Sequence, residues 1–171
     1  MQETLVYEDY PLWMVLASNL LSLFLYFTGA IIMYQVDLIW LVLYVLFILI
    51  LEFRLVRGHC VDCYYYGKTC AFAKGRLSCI FFPRGTPEQF IKRTITWKDI
   101  LPDFLVFIIP LLVGIALLIH DFSLVLLVLI IILIILGFIG NAVVRGQLAC
   151  RYCRQREIGC PAQRLFDRTK E

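Results

Sequence analysis

The chain has 171 residues, of which 61% are hydrophobic and only 17% charged, and its mean hydropathy is +0.84. Soluble domains average about 45–50% apolar and about 25% charged residues, so this composition excludes a disordered chain and argues against an ordinary soluble globule. The formal net charge of +3 is small, and its placement carries more information than its size.

The chain opens on an acidic segment (Glu3, Glu8, Asp9) with neither the basic n-region nor the small-residue cleavage site of a signal peptide. Its first helix is therefore expected to be retained. Two apolar runs follow, Pro11 to about Tyr34 and Leu38 to about Val56, joined only by Gln35, Val36 and Asp37. A second pair runs from about Leu101 to Ile119 and from Phe122 to Val144, with His120 and Asp121 between. Each run reaches or approaches the roughly 20 residues needed to cross a bilayer. Their apolar character is all-round rather than confined to one stripe, as in spans and not surface helices.

The expected fold is an all-α integral membrane protein. Its four transmembrane helices form two repeated hairpins, with a small cysteine-rich, metal-binding cytoplasmic domain. The expected organisation is a first transmembrane hairpin over 1–57, a cysteine-rich loop over 58–85, an amphipathic interfacial helix over 86–100, a second transmembrane hairpin over 101–144 and a cysteine-rich tail over 145–171. In the interfacial helix, Thr86 is expected as N-cap, Pro87 at the first helical position and Gln89 as the completing residue of a capping box. Phe90, Ile91 and Ile95 then alternate with Lys92, Arg93 and Lys98, a pattern suited to a membrane surface.

All 16 Lys and Arg residues fall outside the two short turns, between Arg54 and Lys98 or between Arg145 and Lys170. The positive-inside rule then places both termini and both cysteine segments in the cytoplasm of a cell-membrane protein. Few polar groups interrupt the spans. Glu52 is expected to pair with Arg54 or Arg57, and Asn19 to act as interhelical glue. Gly114, Gly137 and Gly140 are expected to permit close packing.

The two halves repeat. Val56-Arg57-Gly58 precedes Cys60, Cys63 and Cys70, and Val144-Arg145-Gly146 precedes Cys150, Cys153 and Cys160. Both triplets read C-x2-C-x6-C, and matched cysteines lie 90 positions apart. Repeats of like orientation imply a pseudo-two-fold axis along the membrane normal. That axis would bring the two segments together beneath the bundle. A C-x2-C turn lets two thiolates converge on one ion, and a cysteine seven residues on can return to it. Tetrahedral zinc takes four ligands, with sulfur at about 2.3 Å, so three cysteines per half suffice only if the halves share ligands.

This twin pattern resembles the fungal binuclear zinc cluster transcription factors, most closely over Cys150-Arg151-Tyr152-Cys153-Arg154-Gln155-Arg156-Glu157-Ile158-Gly159-Cys160. The resemblance covers about 22 residues and implies six cysteines around two zinc ions. Carried over, Cys60 and Cys150 would bridge the ions, Cys63 and Cys70 would complete one, and Cys153 and Cys160 the other. Here a membrane hairpin separates the halves, so the family's DNA binding does not transfer. Other ligand sets stay open at this point. They are one zinc on Cys60, Cys63, Cys150 and Cys153, a separate site including Cys79, a ligand role for His59, or an iron–sulfur cluster. Cys79 is otherwise expected as a buried thiol.

The sequence contains no Ser-His-Asp set, phosphate-cradling glycine loop or catalytic carboxylate pair, and no catalytic residue is assigned. Two function classes follow. One is a non-catalytic membrane protein whose structural zinc supports a basic, aromatic surface (Tyr64, Tyr65, Tyr66, Lys68, Lys74, Arg76). That surface would meet a protein partner, a second copy or anionic lipid, and the protein could serve as an accessory subunit. The other is a membrane redox protein using iron–sulfur electron transfer or thiol–disulfide exchange.

Overall fold

Four helices long and apolar enough to cross a membrane account for most of the computed structural model, which describes residues 6–163. Glu3 and the tail beyond position 163, with Arg164, Arg168 and Lys170, lie outside the described residues. Among the described residues the chain is all-helical apart from turns and one isolated bridge between Tyr7 and Cys153.

Helix α1 spans Leu12–Tyr34 and follows Pro11, which stands extended as its N-cap. The carboxylate of Asp37 then accepts from the Ile39 N–H at 2.8 Å and starts α2, Leu38–Leu55. The three-residue link makes these helices an antiparallel hairpin, and α2 continues through a π-turn, Val56–Cys60. The short helices α3 (Lys74–Phe81) and α4 (Pro87–Lys92) lead to α5, Trp97–His120. Helix α6, Leu124–Ile134, runs on as a π-helix over Ile135–Cys150. A last short helix, α7, covers Arg154–Gly159.

The spans are longer at their cysteine ends than the hydrophobic pattern alone suggests. No proline or cap intervenes there, so the second and fourth spans carry Cys60 and Cys150 as their last residues. The interfacial helix expected over 86–100 is divided. Only Pro87–Lys92 is helical, and Trp97 onward already belongs to α5. The capping box expected at Thr86 is not made. The Thr86 N–H is instead taken by the carboxylate of Asp62 at 3.0 Å, and the capping box forms at Thr96 with Asp99.

The repeat is visible in the packing. The first helix of each hairpin, α1 or α5, touches all three other spans, so these two form the inner pair. Glycines set the approach of α5 and the fourth span. A Cβ at Gly114 would meet Ile130 at 3.1 Å, and one at Gly137 would meet the Phe107 ring at 2.5 Å, as expected of close-packing positions.

A close junction between spans involves Gly29, Tyr44 and Pro110. Proline lacks an N–H, so Pro110 cannot donate to the carbonyl four residues earlier in its helix. That carbonyl belongs to Val106, and the Tyr44 hydroxyl donates to it at 2.9 Å in a buried position. Gly29 makes room: a Cβ there would collide with the Tyr44 hydroxyl and approach Pro110 Cγ at 3.2 Å. Three spans therefore meet around one repaired backbone acceptor.

Three of the short polar side chains inside the spans bond within their own helix. Asn19 donates to the Val15 carbonyl at 2.7 Å, Thr28 to Phe24 at 2.8 Å and Asn141 to Gly137 at 2.9 Å. The interhelical role expected of Asn19 is thus not taken up, because a carbonyl four residues back is within reach of its short side chain. Glu52 does not pair with Arg54 or Arg57. It meets Lys74 of α3 at 2.5 Å and accepts from the Tyr26 hydroxyl at 2.7 Å. Residues two apart on a helix do not share a face, and the Arg54 guanidinium reaches the Asp99 carbonyl at 2.9 Å.

Tyr44→Phe should leave the Val106 carbonyl unpaired and cost roughly 1–3 kcal/mol. Pro110→Ala in the same chain restores a backbone donor and should recover part of that loss. Unfolding of the two single variants and the double variant in mild detergent measures the coupling.

Candidate cysteine centre

Each C-x2-C turn follows directly from the end of a span. In the first half the Cys63 carbonyl accepts from the Tyr66 N–H at 3.0 Å. In the second, the Cys153 carbonyl accepts from the Arg156 N–H, also at 3.0 Å. Tyr66 and Arg156 are 90 positions apart, so the same turn is built twice.

The two turns clasp each other by a reciprocal pair of hydrogen bonds. The Tyr64 N–H donates to Gln155 Oε1 at 2.8 Å, and the Arg154 N–H donates to the Tyr65 hydroxyl oxygen at 3.0 Å. Tyr64 matches Arg154 in the repeat, and Tyr65 matches Gln155. Each half thus offers the amide that follows its middle cysteine to the next side chain of the other half. This is the pattern that a two-fold relation between the turns produces. Both accepting side chains are buried, Tyr65 at 2% exposure and Gln155 at 4%.

The N-terminal segment threads between the turns. The Tyr7 N–H donates to the Tyr152 carbonyl at 3.1 Å, and the Tyr7 carbonyl accepts from the Tyr65 hydroxyl at 2.5 Å. The Tyr10 N–H donates to the Thr69 carbonyl at 2.9 Å, and its hydroxyl donates to the Ala149 carbonyl at 2.5 Å. Tyr10, Met14, Tyr65, Ala71 and Ala149 form a small core there, with Cys63, Cys70 and Cys153 packed against it. Tyr7, Tyr10 and both cysteine segments therefore lie at one end of the bundle.

All seven cysteines are free thiols. Burial pushes the Cys63 thiol up to about 12; the Tyr65 amide opposes this, while Cys153, Cys60 and Cys70 add to it. Burial also raises the Cys153 thiol, against the amides of Arg156 and Gln155, and Cys150 and Cys160 act in the same upward direction. Backbone donors face the thiols, including the Gly75 N–H at 3.4 Å from Cys70 Sγ. These donors suit sulfur that carries negative charge.

Six thiols and their amide donors match zinc in ligand type and number. They do not match it in convergence: among the described residues no three His, Cys, Asp or Glu side chains come together closely enough to hold a metal ion. Cys79 is exposed rather than buried, because Ser78 takes the inward position on α3 at 0% exposure. His59 lies edge-on to Phe90, with centroids 6.5 Å apart, and borders a small recess with Arg54, Asp99 and Asp103.

The basic, aromatic surface expected from the sequence is mostly engaged internally. Tyr65 is buried in the clasp, and Lys74 holds Glu52. Tyr66 donates to the Phe82 carbonyl at 2.8 Å, and Lys68 to the Tyr64 hydroxyl at 3.0 Å. Arg76 stays exposed. Gln155 and Asp62 were not legible as site residues. Asp62 is 4% exposed and ties the first turn to α4 through Thr86 and through Arg93 at 2.8 Å. Its only sequence signal is a carboxylate inside the C-x2-C spacing.

Compared with protein families, curated proteins and solved structures, the chain matches none.

Gln155→Ala should leave the Tyr64 N–H unpaired and cost roughly 1–3 kcal/mol, and Tyr65→Phe should cost a similar amount. Because both act on one clasp, the double variant should lose less than the sum. Thermal unfolding in detergent distinguishes this from additive loss, which would mean the two bonds act independently.

Proposed function

We propose that the chain is a non-catalytic, four-span membrane protein whose twin cysteine segments bind structural zinc and lock the ends of the two hairpins together. The observation that carries this reading is the reciprocal clasp, which holds two matched C-x2-C turns against each other. When bound, zinc supplies a fixed link between thiolates. It would draw each thiol group inward from its present spacing. Two ions shared among six cysteines leave no open coordination position, which suits a structural and not a catalytic metal. Exposed guanidiniums near this end, Arg57, Arg76 and Arg84, would face anionic lipid or a partner. The positive-inside rule supports a cytoplasmic location for this end.

Protein purified anaerobically in mild detergent should carry about two colourless zinc ions per chain. Cys60→Ser and Cys150→Ser should lower the zinc content and the thermal midpoint, whereas Cys79→Ser should leave both unchanged. Metal-free protein would overturn the reading, and so would iron with a brown chromophore.

Exposed Cys79 also reports orientation. A membrane-impermeant maleimide should label it only after the cytoplasmic side is opened. Labelling of intact cells would reverse the assigned topology.

A further inference from the structure

Helix α3 is clamped to the first cysteine segment on one side. Gly75 leaves no room for a Cβ, which would collide with the Tyr65 carbonyl oxygen and lie 2.6 Å from that of Lys68. The Gly75 carbonyl accepts from Gly67 at 2.9 Å, and Lys74 holds Glu52 of α2 at 2.5 Å. This attachment fixes the opposite edge outward: Leu77 is 44% exposed, Ile80 74% and Phe81 67%.

Between that edge and the end of α2 runs a groove of about 430 Å³, lined by Glu52, Phe53, Val56, Leu77, Phe81 and Phe82. Such a volume falls in the range of ligand sites, roughly 300–1,000 Å³. Its walls are apolar except for Glu52, whose carboxylate is taken by Lys74 and Tyr26. Phe53 is itself 55% exposed and meets Phe82 edge-on at 5.6 Å. The groove is therefore continuous with the outer face of a membrane-spanning helix. Phe53 stands seven residues before the end of that span at Cys60, about 10 Å along the axis at 1.5 Å per residue. Arg54 and Arg57 follow Phe53 within that distance, so the groove sits where the apolar run gives way to charge, as at a membrane interface.

The charges around the groove are one-sided. Arg57, Arg76 and Arg84 belong to the segments that build it, all three are exposed, and none makes an ion pair among the described residues. Arg84 stands over the Tyr66 ring at 6.0 Å, and the Tyr66 hydroxyl is bonded to the Phe82 carbonyl at the groove's edge. An apolar slot at the end of a span, with unpaired guanidiniums on the segments that build it, has the chemistry to hold an amphipathic anion.

From this we propose that the groove between α3 and the end of α2 binds one phospholipid with an acidic headgroup, an acyl chain lying against Phe53, Leu77 and Phe81 and the phosphate meeting the arginines. The inference rests on the membrane-spanning reading. It also assigns the interfacial role expected of residues 86–100 to α3.

Two reporters separate the site from the membrane reading. One protein keeps Trp40 alone, with Trp13→Phe and Trp97→Phe; Trp40 is 52% exposed at the far end of α2. The other lacks all three tryptophans and carries Phe81→Trp. Each is reconstituted in phosphatidylcholine vesicles whose bromine quencher sits on the chains of either phosphatidylglycerol or phosphatidylcholine. The Trp40 protein should be quenched equally by both. The F81W protein should reach half-quenching at about threefold or more lower brominated phosphatidylglycerol than phosphatidylcholine. Substituting Gln for Arg57, Arg76 and Arg84 together should abolish that preference, and Leu77→Trp should report the same selectivity if F81W disturbs the groove. Equal quenching of the groove reporters by both lipids would overturn the site. So would reporters shielded from both, as in a groove covered by a second copy. An unquenched Trp40 would defeat the membrane reading itself.

Discussion

The architecture depends on one requirement, that no backbone polar group be left unpaired inside hydrocarbon. Pro110 breaks that rule for its own helix by withholding a donor from Val106. The Tyr44 hydroxyl meets the obligation from a neighbouring helix. The repair is only possible because Gly29 on a third helix has no side chain to obstruct it. Three spans are thereby brought to a common point by a local deficit and not by apolar contact alone. Apolar contact discriminates poorly where lipid is as apolar as the protein.

At the cysteine end the governing interaction changes from backbone repair to exchange between repeats. The two C-x2-C turns are alike in fold, and each completes the other's hydrogen bonding. Beyond the turns the match is not kept everywhere. Residues 154–159 are helical as α7, whereas their counterparts 64–69 are turn, and Glu52, the acid partner of Lys74, has Ala142 at the matching position. A symmetric clasp can thus serve as a structural core within unlike surroundings.

Much of the architecture was legible in the sequence. Apolar runs of sufficient length, a two- or three-residue turn and a regular cysteine interval are each local properties. They identify four spans, two hairpins and a repeat with little need of tertiary knowledge. Element ends were less legible. Arg54, Arg57 and Arg145 mark where the apolar runs give way to charge, but nothing marks where the helices themselves stop, and both continue to the cysteines. Thr86 has the residues of a capping box, but Asp62 competes for its amide from 24 positions away. Partner choice was least legible. Glu52 has two nearby arginines in sequence, yet helical geometry turns them aside and a lysine from α3 arrives. Tyr65 reads as an exposed aromatic in a polar run, and only the second half of the chain reveals why it is buried. Pro110 announces a missing donor, but nothing in the one-dimensional pattern says that Tyr44 supplies its replacement.

The clasp also has a place in time. Its partners, Tyr64 with Gln155 and Tyr65 with Arg154, are separated by 91 and 89 positions. They cannot meet until the second hairpin has been synthesised and inserted. Tyr7 and Tyr10 contact residues made much later, Tyr152 and Ala149. During translation the first cysteine segment must therefore wait with its thiols and the Tyr64 amide unprotected. Contacts this distant in sequence close slowly. The interval before the chain is complete is when the first three thiols are most open to oxidation or to a wrong metal. A nascent chain stalled before position 150 would leave them in that state indefinitely, with the N-terminal segment lacking one side of its channel.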